Sequence, residues 1–271
     1  LTIPDTPVYY EQLQTFFGSF IKGAVAAPGA PSVYTWTYTR SLTADPALDY
    51  LTIERRAKDF STNEDMEVPA CLFNQMTFKY AEGSPLLFAA QGFGRKADDS
   101  STFTAAQTMP TPEIAPSAMS SVYIDTTWAG IGGTQITSQI IGWDLTMNNG
   151  AMPQMTADGR ADLDYTLPIH NPDNMSLDLK LTCLMDPTRF ATERDAAKAG
   201  TLRAIQLKVT GTASRSLKLN GLFKYTKPGI LMLGEQNGQI MVSLELEEAT
   251  DATNWLEAIL VNATNAADGV A

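Results

Sequence analysis

A single histidine and two cysteines are all the imidazole and thiol that this 271-residue chain offers. A structural zinc site needs several such ligands at motif spacing, so that chemistry is excluded. The histidine, His170, lies in Pro168-Ile169-His170-Asn171-Pro172, which reads as a prolyl loop at a strand end. No nucleophile elbow accompanies it, and a serine-type triad needs a base held between carboxylate and nucleophile. Cys71 and Cys183 sit apart in the apolar segments CLFNQMTF and LDLKLTCLM, where a thiol acts as a small buried hydrophobe. A disulfide would need their Cα atoms close together, which spacing does not show. Basic residues are scarce as well: 19 against 30 acidic ones, a formal charge of −11. Nucleic-acid binders present a basic face, so this balance argues against a surface that grips phosphate. No apolar run approaches a membrane span, and no secretory signal is visible, although a chain starting at Leu1 leaves room for a removed leader. Without such a signal the triplets Asn174-Met175-Ser176 and Asn262-Ala263-Thr264 carry little weight as glycosylation sites. Gly92-Phe93-Gly94-Arg95 lacks the Lys-Ser/Thr of a P-loop and opens no helix.

What remains is mostly strand. Hydrophobic residues make up 44% of the chain and charged ones only 18%, the composition of a globular protein with much of its surface covered by something larger. Its length suits one large β domain or two smaller ones. Val8–Val25 places Leu13, Phe16, Phe17, Phe20 and Ile21 on one helical face, with Gly23 and the AAPGAP run as a stop. Alternation then predicts strands at Val33–Thr39, Leu48–Ile53, Cys71–Tyr80 and Leu86–Gly94. Glu54–Val68, the most charged stretch, reads as an exposed loop or extended hairpin, and Lys96–Ser117 as a linker.

The second half opens with Val122-Tyr123-Ile124. Ser138–Leu167 follows as strand, turn, loop, strand, with Asn148-Asn149-Gly150 supplying the positive φ of a turn. A helix at 186–199 has the full set of local signals: Asp186 as N-cap, Pro187 in the first turn, Phe190 to anchor it, Gly200 as stop. Ser176–Cys183, Leu202–Thr210, Ser216–Tyr225, Gln239–Glu247 and Trp255–Val261 complete the strands. The halves 1–117 and 118–271 share an order of elements with slight identity, which reads as a tandem duplication.

Carboxylates are the one remaining source of chemistry. Asp158, Asp162 and Asp164 cluster, and a pair of carboxylates can bind calcium or serve a glycosidase. The order of a calcium loop is absent, and alternating Asp suits a solvated strand face. We therefore expect no enzyme, no cofactor and no metal.

Taken together, VYTWTYTR at Val33–Arg40, Leu51–Glu54, Pro69–Thr77, Phe93-Gly94-Arg95, Val122–Asp125 and Gly142–Arg160 form an ordered run. That run resembles the tail tube proteins of long-tailed, non-contractile bacteriophages. The resemblance implies a mainly β, antiparallel sandwich- or barrel-like fold with flanking helices, assembling into stacked rings that form a conduit for DNA ejection. It implies a virion tail protein assembled in the host cytoplasm, with other copies of itself, tape measure and tail terminator or tip proteins as partners. DNA would pass without tight binding, and no membrane would be involved. Arg55, Arg56, Lys58, Asp59, Glu64 and Asp65 become candidate ring-stacking contacts. If each half supplies one barrel domain, three chains close a pseudo-hexameric ring; if only the second does, six are needed. The competing class is a β-sandwich adhesin or carbohydrate-binding module; a secreted hydrolase is disfavoured.

Overall fold

The computed structural model describes residues 1–21, 27–28, 33–40, 48–57, 64–98, 111–116, 119–137, 139–155, 167–212, 214–236, 238–251 and 254–263. In chain order the elements are β1 (Thr2–Pro7), α1 (Tyr10–Phe20), β2 (Ala27–Pro28), β3 (Tyr34–Thr39), β4 (Leu51–Ala57), β5 (Glu64–Ala81), β6 (Leu87–Phe93) and β7 (Ser120–Asp125). Then follow β8 (Gln135–Ile136), β9 (Ile140–Gln154), β10 (Leu167–Met185), α2 (Pro187–Ala199), β11 (Arg203–Thr210), β12 (Ser216–Gln236), β13 (Gln239–Glu248) and β14 (Leu256–Asn262). All pairings among the described residues are antiparallel, as the resemblance implies.

Two layers result. The first runs β1-β6-β5-β9-β10-β13 and the second β8-β7-β11-β12-β14-β3. β12 joins them: residues 216–221 lie between β11 and β14, whereas residues 223–236 pair with β13. A strand that changes sheets in this way makes the corner of a sandwich without closing a barrel. Strands on either side of residue 117 meet in both layers, at β5–β9 and at β3–β14.

Helix α1 fills the space between the layers. Phe17 packs 5.4 Å from Tyr38 of β3 and 6.1 Å from Phe78 of β5, while Phe16 lies 4.9 Å from Phe88 of β6. The apolar face predicted for Val8–Val25 is therefore real, but the helix is shorter, and Gly23 with most of the expected stop lies outside the described residues. Its start has no side-chain cap. Instead the Tyr10 amide donates to the Glu113 carbonyl (3.2 Å), and the Glu113 amide donates to the Glu11 carboxylate (2.9 Å). Residues 111–116, expected to be linker, are thus clipped onto the helix; residues 99–110 and 117 lie outside the described ones.

Helix α2 carries the local signals the sequence promised. Asp186 Oδ1 accepts from the Arg189 amide at 2.8 Å, and Gly200 ends the helix at φ 64°. Asp186→Ala should cost about 1 kcal/mol of unfolding free energy, measured by urea denaturation. Phe190 is only half-buried, so it is not the main anchor; Glu193 and Ala196 are the residues this helix buries.

The Asn148-Asn149-Gly150 turn is corrected by the structure: the three residues lie inside the continuous strand β9. Gly150 does have positive φ, 73°, but it serves a bulge. Between His170 and Met175, β10 carries extra residues opposite Asn149–Ala151, and a Cβ on Gly150 would sit 2.2 Å from the Asn171 carbonyl oxygen. His170 likewise belongs to strand β10, opposite Ala151, and not to a loop. The predicted Asp158–Asp162–Asp164 cluster and the strand start at Leu163 and Tyr165 fall outside the described residues.

Candidate assembly surfaces

The long layer turns one face inward and one out, and the register decides which residues share the outer face. Lys79, Asp144, Lys180 and Glu245 stand directly opposite one another across β5, β9, β10 and β13. Beside that row run Thr77, Thr146, Asp178, Glu247 and Lys224, the last on β12. Directly opposed side chains share a face and interact. Lys79 also reaches Asp5 on β1 (2.9 Å), and Lys224 reaches Glu247 (3.3 Å). Each of these lysines therefore faces carboxylates, and no basic stripe forms on this face among the described residues.

Two hairpin arms leave this layer at one end. The β5–β9 register runs from Gln75↔Asn148 to Ala81↔Gly142, so the start of β5 and the end of β9 extend in the same direction. The first arm is β4–β5, the second β9–β10, and the β12–β13 hairpin leaves at the opposite end, where Met185 faces Ile240. Glu54–Val68 is thus largely hairpin rather than loop. On it Arg55 is exposed opposite Met66, Arg56 stands opposite Asp65, which is half-buried, and Glu64 stands opposite Ala57. Lys58 and Asp59 lie outside the described residues.

Buried polar groups brace the layers, and the sequence did not single them out. Arg203 Nε donates to Glu193 Oε2 at 2.9 Å, and the Tyr225 hydroxyl donates to the same oxygen at 2.7 Å. Arg189 Nε lies 3.4 Å from Glu193 Oε1. Burial, and then the adjacent Glu193 charge, push the Tyr225 hydroxyl well above its usual pKa, so it remains a donor. Asn149 is 1% exposed and donates to the carbonyls of Phe20 (2.8 Å) and Phe73 (3.0 Å), while its Oδ1 accepts from the Ala151 amide (2.9 Å). Arg215 pairs with Glu11 and, at 3.1 Å, with Glu113.

Both cysteines are free and buried, as their apolar segments suggest; burial pushes the Cys183 thiol up to about 12. A cavity between β1, α1 and β6 is lined by Ile3, Val8, Leu13, Phe16 and Phe88, with Thr6, Tyr9 and Gln12 as its polar groups. Among the described residues no group of three His, Cys, Asp or Glu could hold a metal ion. No helix among them is long and apolar enough to cross a membrane.

A mainly antiparallel β fold with flanking helices is what the resemblance implied, and the comparison with family models decides the matter: the model for phage tail tube protein matches residues 5–247. The chain belongs to that family. Its role is therefore structural, as a component of the bacteriophage tail. No curated protein matches it. The fold class follows the family expectation too: among the described residues it is mainly antiparallel β with two α-helices, and their sheet is not closed.

Proposed function

We propose that copies of this chain assemble into rings that stack into the tail tube of a long-tailed, non-contractile phage, and that DNA leaves the virion through its lumen. The observation that carries this reading is the open sheet with arms at one end. Unpaired sheet edges are removed when copies join them into a common barrel, and projecting arms give a ring something to hold the next ring with. The outer face suits a lumen wall: its lysines are matched by Asp144, Asp178, Glu245 and Glu247, so it offers phosphate no continuous grip. Assembly in the host cytoplasm, with tape measure and terminator or tip proteins at the ends, belongs to the same reading.

Three chains per ring fit the arms best. Each half contributes a helix and one arm from the same end of the sheet, so three chains present six arms. A reconstruction with true sixfold symmetry would overturn the pseudo-hexamer.

The β4–β5 arm supplies the test. With Arg55 exposed, Arg56, Glu64 and Asp65 on the same arm, and Lys58 and Asp59 between its two strands in sequence, charge pairing with the neighbouring ring is its proposed role. Arg55→Glu with Arg56→Glu should leave the melting temperature within a few degrees of the unmodified chain and abolish sedimenting assemblies. Normal assembly by this variant would return the arm to a solvated hairpin.

A further inference from the structure

The most exposed large apolar residues of the chain include three in a row. Leu231, Met232 and Leu233 on β12 are 39%, 62% and 50% exposed. Leu231 and Met232 are adjacent strand residues and point to opposite faces, so neither face of this segment is covered by the other described residues. One edge is bare as well. Beyond Tyr225, β12 has β13 on one side and, among the described residues, no strand on the other. From Ile230 to Gly234 it carries no charge. The outer edge at β1 is different: it has Pro4, Pro7, the Asp5–Lys79 ion pair and a register shift between Ile3 and Thr6. Those are features that keep an edge from pairing; β12 has register shifts as well, between Tyr225 and Ile230 and between Met232 and Gly234, but Ile230–Gly234 itself holds neither a proline nor a charge.

A matching patch lies on the β9–β10 arm. Met152 and Ile169 are cross-strand partners, 38% and 41% exposed, and Met155 is 59% exposed. Residues 151–155 and 167–172 carry no formal charge either. In a chain of −11, such charge-free stretches let two copies meet without like-charge repulsion. The two patches cannot meet within one chain. They lie toward opposite ends of β10, and at about 3.3 Å per residue the paired strand β9 separates them by roughly 40 Å.

We infer that Leu231, Met232 and Leu233 of one copy dock on the Met152–Ile169 patch of the next copy along the tube. This rests on the tube reading above and names a second, apolar contact between rings beside the charged β4–β5 arm. Two different patches at opposite ends of one subunit make a heterologous contact. Such a contact repeats without closing, which is what growth along an axis requires.

The test uses a Met232→Cys, Ile169→Cys double variant of the full chain and a short bis-maleimide. Cys71 and Cys183 are buried and stay silent. Cross-linked assemblies should give a ladder of multimers on a denaturing gel, whereas neither single variant nor the unmodified chain should go beyond background. In parallel, Met232→Asp with Leu233→Asp should cut the sedimenting fraction more than tenfold with the melting temperature unchanged. A dimer from Met232→Cys alone would show two β12 edges pairing with each other and overturn the inference. Tubes that form but do not cross-link, and that tolerate both aspartates, would overturn it and leave the tube reading standing. If the unmodified chain does not assemble at all, both fall together.

Discussion

Replacing Glu193 with alanine is expected to lower the unfolding free energy by about 3–5 kcal/mol at neutral pH. The carboxylate holds Arg203 and Tyr225 through one oxygen and faces Arg189 with the other. Glu193 and Arg203 are both nearly fully buried, so truncating the acid strands a guanidinium without a counter-charge. The gain from the pair itself is a separate matter, because desolvating two charges offsets much of their attraction. The double variant Glu193→Leu, Arg203→Leu should therefore be clearly less destabilised than Glu193→Ala, and Glu193→Gln should fall between. Urea denaturation at 25 °C measures all three. A loss under about 1 kcal/mol for Glu193→Ala would mean that water reaches Arg203 and that α2 is held by packing alone.

Asn149→Ala should be about as costly, on the order of 3–5 kcal/mol, for a different reason. The side chain satisfies two carbonyls and one amide at once: Phe20 at the end of α1, Phe73 on β5 and Ala151 past the bulge. Each buried group left without its partner costs about 1–3 kcal/mol. Asn149→Asp keeps the shape but turns both donors into acceptors aimed at carbonyl oxygens, so it should be no milder. Hydrogen exchange should localise the damage, with the Ala151 amide and the last turn of α1 losing protection first. An Asn149→Ala protein within 1 kcal/mol of the unmodified chain would show that a water takes over the site.

These two residues also mark where sequence reasoning stops. Helix α2 was legible because Asp186, Pro187 and Gly200 act within one turn of themselves. The alternating strands were legible for the same reason, since the inward face repeats every second residue. Asn149-Gly150 was misread because a positive-φ glycine marks a turn or a bulge equally well. The choice was made by the extra residues on β10 and by the Asn171 carbonyl lying where a Cβ would go. Helix α1 was over-extended because its apolar face runs on past Phe20, whose carbonyl is instead taken by Asn149. The outer-face rows were invisible for a related reason. Lys79, Asp144, Lys180 and Glu245 are far apart in sequence, and only the register of four strands aligns them. Arg55 and Arg56 stood out as charges in a charged stretch, but the sequence did not say that their arm and the β9–β10 arm leave the same end of the sheet.

Electron microscopy of the purified, unmodified chain, concentrated at moderate salt and negatively stained, tests the central claim most directly. The structure and the family together predict rings or hollow tubes of one uniform diameter with a stain-filled lumen. Particles that remain single and compact at every concentration, with no ring or tube, would contradict it.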